Sequence, residues 1–256
     1  MILKNKRKSL PVLSIEMIKE FEKYYQEYSI FGGYPRVVLT KDKDEKIIIL
    51  KNIYNTYFLR EIRDILQIAT EEELQKLIKS LSLQIGSEVV YNELCSLTSQ
   101  NYLNLIKHIN ILENTYIIKK VHPYCKNKKI EISKAPKIYF IDNGFRNVAI
   151  DNFLPFNKRV DRGMLNENFV ASQLIKQGNN VNYWRTKSNA ELDFIIERNN
   201  MKIAIEVKSS LTTDKVRRGL LSFKEKYAPD KIIVVSENYS SYDKIKKIYF
   251  IPLFFI

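Results

Sequence analysis

Two acids and a lysine in this 256-residue chain stand where a hydrolytic site could form: Asp193, Glu206 and Lys208. They lie in the segments Glu191-Leu192-Asp193-Phe194-Ile195-Ile196-Glu197 and Lys202-Ile203-Ala204-Ile205-Glu206-Val207-Lys208, each alternating apolar and polar residues as a half-buried strand does. Between them Asn199-Asn200 suits the centre of a two-residue hairpin turn, because Asn tolerates positive φ. That turn sets Ile196 against Ile203, Phe194 against Ile205 and Leu192 against Val207 on one apolar face. On the other face Glu197 meets Lys202, Asp193 meets Glu206, and Lys208 follows on the same side. Carboxylates placed directly opposite, roughly 5 Å apart at Cβ, repel one another. Such a pair is expected where a divalent cation lies between them or one is held protonated. Mg2+ takes one or two carboxylates together with water and substrate phosphate. The Lys208 ammonium would then hold an attacking water or a phosphate oxygen, a phosphodiester-cleaving arrangement. The plainer reading is a solvated polar face, since Glu-x-Lys is frequent in any lysine-rich chain.

The surrounding pattern supplies elements to position these groups. A helix opening at Gly163 carries Leu165, Glu167, Phe169, Val170, Ala171, Leu174 and Ile175. Glu167 shares a face with Val170, Ala171 and Leu174, so its carboxylate is aimed at the apolar side; a first-turn acid favouring the helix dipole is the alternative. Asn180 to Arg185 reads as a strand, and Thr212-Thr213 is expected to cap a helix with Val216, Leu220, Phe223 and Tyr227 on one stripe, leaving Lys215, Arg217 and Arg218 exposed. Lys231 to Ser236 is apolar throughout, as a central strand is, and the tail from Ile248 to Ile256 reads as a buried final strand. The order is therefore helix, three strands, helix, strand, an α/β (mixed α+β) domain over 163–256.

Upstream, residues 1–68 read as a helical segment, with one helix over Ser14 to Tyr28 broken at Phe31-Gly32-Gly33-Tyr34-Pro35 and another over Lys46 to Leu66. Residues 69–145 read differently: a helix on Leu74, Leu77, Ile78 and Leu81, a short one from Val90 to Leu97, and a longer one on Tyr102, Leu105, Ile106, Ile109 and Leu112. Two strands follow, Tyr116 to Val121 and Lys137 to Ile141, which is winged-helix order. The third helix offers Asn101, Asn104, Lys107, His108 and Asn110 to phosphates or base edges. The loop carries Lys126, Lys128 and Lys129 among seven lysines and one acid between Lys119 and Lys137, a wing suited to duplex phosphate. A protein-binding spacer with a solvated loop is the alternative. Residues 146–162 read as an irregular connection.

Composition narrows the classes. A net charge of +13 favours a polyanionic partner, although a lysine- and isoleucine-rich composition also follows from AT-rich coding. Cys95 and Cys125 with His108 and His122 match no disulfide framework or zinc spacing, so free thiols are expected. No Gly-Lys-Ser/Thr phosphate loop occurs, hence no ATP site. The first residues lack a signal-peptide apolar run and the apolar tail is too short to span a bilayer, so a cytoplasmic, membrane-free protein is expected.

Glu167 on a helix, Asp193 on the second strand and Glu206-x-Lys208 on the third resemble the PD-(D/E)xK nuclease superfamily. Phe31-Gly32-Gly33-Tyr34-Pro35, Lys137-Ile138-Tyr139-Phe140-Ile141-Asp142-Asn143-Gly144, Glu167-Asn168-Phe169-Val170, Tyr183-Trp184-Arg185 and Glu206-Val207-Lys208-Ser209-Ser210 further resemble the C-terminal half of prokaryotic, especially archaeal, AAA-type ATPases. That half joins a winged helix to a nuclease-like domain of unknown function, and the ATPase module it normally follows is missing from this sequence. The resemblance implies Mg2+ on Asp193 and Glu206, Lys208 orienting water, Glu167 completing the site, double-stranded DNA as partner and a separate ATPase subunit as a second one. The alternative it leaves is a non-catalytic DNA-binding or regulatory module with the nuclease fold kept as scaffold, and beyond that a protein-binding adaptor.

Overall fold

The computed structural model describes residues 13–66, 71–125, 131 and 134–256 and is mixed α/β. Its contacts gather into two compact units. A helical unit takes residues 27–120 and 135–159; a sheet unit takes 1–26, 121–134 and 160–256. The expected boundaries at 68, 145 and 162 therefore shift: the first helix begins in the sheet unit, and the segment after Lys120 returns to it. Linear sequence hides this, because a pattern of apolar residues marks an element but not which core receives it.

In the helical unit the chain leaves α1 (Ile15–Phe31), turns through Gly32-Gly33 into α2 (Pro35–Leu39), and enters α3 (Lys43–Ile53), whose N-cap Asp42 accepts the Glu45 N–H at 2.8 Å. The helix expected from Lys46 to Leu66 is not uniform: Tyr54–Ile62 is π-helical before α4 (Arg63–Leu66). The buried residues Tyr54, Phe58 and Ile62 recur every four positions, wider than an α-helical turn, and Phe145 meets Tyr54 at a tilt and Phe58 edge-to-face, with centroids 5.4 and 5.1 Å away. Next come α5 (Glu71–Leu83), α6 (Tyr91–Thr98) and α7 (Tyr102–Asn114), burying Leu74, Leu77, Ile78, Leu81, Leu94, Leu105, Ile109 and Leu112 as the periodicity predicts. They are followed by β1 (Ile118–Pro123) and β2 (Lys137–Phe140), with Glu88, between α5 and α6, bridging antiparallel to Lys137. The stretch expected to be irregular instead opens with α8 (Asn143–Ala149), capped by the Asp142 carboxylate.

The sheet unit follows the expected series: α9 (Arg162–Lys176), β3 (Val181–Arg185), β4 (Glu191–Arg198), β5 (Met201–Val207), α10 (Arg218–Tyr227) and β6 (Lys231–Ser236), then β7 (Ser241–Asp243) and β8 (Ile248–Pro252). Strand order is β2-β1-β3-β4-β5-β6-β8-β7, with β1 contributing His122 and Pro123 parallel to Asn182 and Tyr183. β5, β6 and β8 are parallel neighbours, so β6 sits at the centre with Ile232 to Ser236 buried. α10 covers one face over Trp184, Ile195, Ala204, Ile232, Val234, Ile248 and Phe250, while α9 packs on β3 and β5. Thr212-Thr213 does not cap α10; the helix starts later, with Arg217 at its N-cap.

Candidate functional site

The β4–β5 hairpin pairs Phe194 with Ile205, Ile195 with Ala204, Ile196 with Ile203 and Glu197 with Lys202, the register read from the sequence. Asn199 and Asn200 carry φ of 51° and 59°, the mirror-image turn that matches strand twist. On its other edge β4 is irregular. Trp184 pairs with Leu192 but Asn182 pairs with Ile195, so β4 spends one residue more than β3 over the same span. This bulge swings Leu192 into the core that holds Trp184 and Ile195, correcting the expectation that it faces Val207 beside Phe194. Bulges re-aim side chains, and Asp193 is at this one. A continued ladder would give the Val207 N–H to the Leu192 carbonyl; instead the Asp193 carboxylate accepts it through Oδ2 at 2.7 Å.

Asp193 and Glu206 are thus buried together, 5% and 1% exposed, at the end of the hairpin. Burial pushes the Glu206 carboxyl up and the Asp193 charge adds to that, against the lowering influence of Lys208 and Arg217. Lys208 Nζ lies 2.8 Å from Glu206 Oε1, and burial pulls its own ammonium down despite that partner. Arg217, just ahead of α10, brings Nε to 3.6 Å from the same oxygen. An ammonium and a guanidinium therefore converge on one oxygen of a buried acid that also feels the Asp193 charge. Oxygen donors from two acids suit a hard cation, which would draw its remaining ligands from water and phosphate.

Glu167 is partly buried in the second turn of α9, past the reach of a first-turn dipole effect. Among the described residues no three His, Cys, Asp or Glu side chains are grouped so as to hold a metal ion. Asn104 and Lys107 are exposed on α7. His108 is a correction: it is 6% exposed, with Nδ1 2.8 Å from Gln100 Oε1, and serves the core rather than a phosphate. Asn101 uses its side chain to cap α7, accepting the Asn104 N–H at 2.9 Å. Lys119 and Lys120 are held by Glu113 at 2.8 and 3.1 Å, Lys120 also reaches Asn110 at 2.6 Å, and Lys137 is buried, all of which trims the basic wing. Lys126, Lys128 and Lys129 lie outside the described residues. Arg217 is the site residue that sequence reading missed, because its approach to Glu206 depends on the path of the loop between β5 and α10.

Fold and site define a mixed α/β chain of two units, one bearing a buried acidic pair with a lysine. The chain belongs to the family described as a domain of unknown function (DUF8612), whose model matches residues 22–155; a second domain of unknown function (DUF4143) matches 162–256. An uncharacterized protein of Haemophilus influenzae is 27% identical over 89% of this chain and 57% of its own length. An uncharacterized protein of Methanocaldococcus jannaschii is 25% identical over 80% of this chain and 46% of its own. The chain thus spans about half the length of these relatives. A crystal structure of protein VC1899 from Vibrio cholerae aligns over 89% of this chain and 56% of that one at 14% identity, with a TM-score of 0.24. Among the described residues no helix is long and apolar enough to cross a membrane.

Proposed function

We propose that the sheet unit is a metal-dependent nuclease-like domain of the PD-(D/E)xK type, acting on DNA phosphodiesters. The observation that supports this most is the burial of Asp193 and Glu206, the charge of the first acting on the second, with Lys208 Nζ at 2.8 Å from Glu206. Asp193 and Glu206 would hold Mg2+, with the Val207 carbonyl as a further candidate ligand. The ion, when bound, would lower the pKa of a water and offset charge on the phosphate. Asp193 is held for this by its bond to the Val207 N–H, which fixes one carboxylate oxygen at the hairpin end. Lys208 holds a proton beside the acidic pair and can orient a water or meet a phosphate oxygen. Glu167 would act through water at most.

The helical unit would bind duplex DNA, its order of three helices and paired strands being that of a winged helix. Exposed Asn104 and Lys107 on α7 support that role, with Lys126, Lys128 and Lys129 as the expected phosphate contacts.

A second reading has its own support. Lys208 already pairs with Glu206 and Asp193 already accepts from a backbone N–H, so each acid has a partner without a metal. DUF4143 is commonly found with AAA-type ATPases, and in this reading the chain is a non-catalytic DNA-binding or regulatory module working with a separate ATPase subunit. Plasmid nicking with Mg2+ separates the two. Loss of nicking in both Asp193→Asn and Lys208→Ala is expected of the nuclease; a wild-type chain that shifts duplex DNA but never nicks it supports the module instead.

A further inference from the structure

Next to the acidic pair, a cleft of about 620 Å3 is lined by Ser188, Asn189, Glu191, Arg217, Arg218 and Ser222. Its floor is formed where α10 meets β4. A Cβ on Gly219 would fall 1.9 Å from the Glu191 carbonyl oxygen, so helix and strand backbones touch and the start of α10 is fixed over the strand. No side chain caps that start and no acid stands in its first turn, so the partial positive charge of the helix start, whose residues Arg218 and Gly219 line the cleft, is not offset there. The one acid in the lining, Glu191, lies in register with Arg185 on β3. Two arginines, uncapped helix N–H groups and three small polar side chains fit a phosphoryl group better than an apolar ligand.

Arg217 belongs to both places. Its side chain is 60% exposed, and its contact with Glu206, through Nε at 3.6 Å, is longer than a charge-assisted hydrogen bond. A phosphate accepting from its fork would outcompete that loose contact. We propose that the cleft is a phosphoryl subsite, and that an occupant draws Arg217 off Glu206. With one cation removed from the buried carboxylate, the acidic pair binds a divalent ion more tightly. By linkage the ion strengthens phosphoryl binding by the same factor. The coupling rests on the metal reading of Asp193 and Glu206; the subsite does not.

Two measurements separate these. In EDTA, the full chain is titrated into a labelled single-stranded trinucleotide carrying either a 5′-phosphate or a 5′-hydroxyl, followed by anisotropy. The phosphorylated form is expected to bind ~10-fold tighter, and Arg217→Gln and Arg218→Gln to abolish that advantage while melting at the wild-type temperature. Loss of the advantage in excess inorganic phosphate assigns recognition to the phosphoryl group alone; persistence assigns it to the nucleotide end. Equal binding of the two forms by the wild type overturns the subsite. Calorimetric titration of Mn2+ then tests the coupling. Wild type should bind Mn2+ several-fold tighter with the phosphorylated trinucleotide present, and Arg217→Gln should bind it tightly without. A Mn2+ affinity indifferent to the trinucleotide overturns the coupling, whereas no Mn2+ binding by any form overturns the metal reading and leaves the anisotropy result standing.

Discussion

The Asp142 carboxylate accepts the backbone N–H of Gly33 through Oδ2 at 2.7 Å, across 109 residues of chain, while its Oδ1 accepts the Phe145 N–H at 3.0 Å and caps α8. One side chain thereby ties together two glycine-marked turns of the helical unit. The fit is tight on both sides. Gly32 has φ of 73°, and a Cβ there would overlap the Asp142 carboxylate; a Cβ on Gly144 would sit 2.1 Å from the Phe31 carbonyl oxygen. The Gly-Gly-Tyr-Pro and Asp-Asn-Gly motifs are thus halves of one lock. Burial raises the Tyr34 phenol well above its ordinary range, and the Asp142 charge adds to it.

Breaking the lock should be costly. Gly144→Ala must displace backbone rather than a side-chain tip and is expected to destabilise by ~3 kcal/mol or more. Asp142→Ala leaves two N–H groups without acceptors, for a loss of ~2–4 kcal/mol. Urea denaturation measures both, and a Gly144→Ala variant with the wild-type midpoint would remove the steric argument.

At the acidic pair, stability and chemistry can be separated. Asp193→Ala strands the buried Val207 N–H and should destabilise by ~1–3 kcal/mol. Asp193→Asn keeps an acceptor and should melt close to wild type, yet lose Mg2+-dependent nicking. Wild-type nicking by the Asn variant would mean that Asp193 is no metal ligand.

The hairpin turn gives a third expectation. With both Asn199 and Asn200 at positive φ, Asn200→Val should destabilise the sheet unit by ~1–2 kcal/mol and Asn200→Gly should be neutral or slightly stabilising. Thermal melting of the two variants should rank them in that order; the reverse order would contradict the turn geometry.

Stability should also depend on pH through Glu113. Burial pushes its carboxyl up, but bonds from Lys119 and Lys120 outweigh burial and hold it below the usual value. A depressed carboxyl stabilises the fold above its unfolded pKa, and that contribution is lost as pH falls through the folded value. Glu113→Gln should therefore cost on the order of 1 kcal/mol at neutral pH and progressively less in acid. Denaturation midpoints of the two proteins that stay parallel from pH 7 down to pH 3 would contradict this.

Much of the sheet unit was readable because two short-range rules overlap. Alternation of period two and an Asn-Asn turn leave one register for Ile196 with Ile203 and Phe194 with Ile205, and the structure has it. Features set by tertiary packing were not readable. The β4 bulge adds no unusual residue to its own strand and appears only against β3. His108 looks polar on a helical wheel, but its ring fills core space beside Gln100. Thr212-Thr213 has the composition of a cap, yet the backbone does not turn helical until Arg218, where Gly219 allows contact with Glu191. The π-helical turns at Tyr54–Ile62 set Tyr54 and Phe58 against Phe145, far off in sequence.

Because His122 and Pro123 lie alongside β3, the sheet depends on a visit by a segment nearly forty residues upstream of α9. Expressing 160–256 alone would strip that neighbour and bare the flank of β3, where unpaired N–H and carbonyl groups recruit other chains. Insolubility of such a truncation would then report a missing strand, and a version retaining 121–134 on a flexible linker would be the fairer piece to purify.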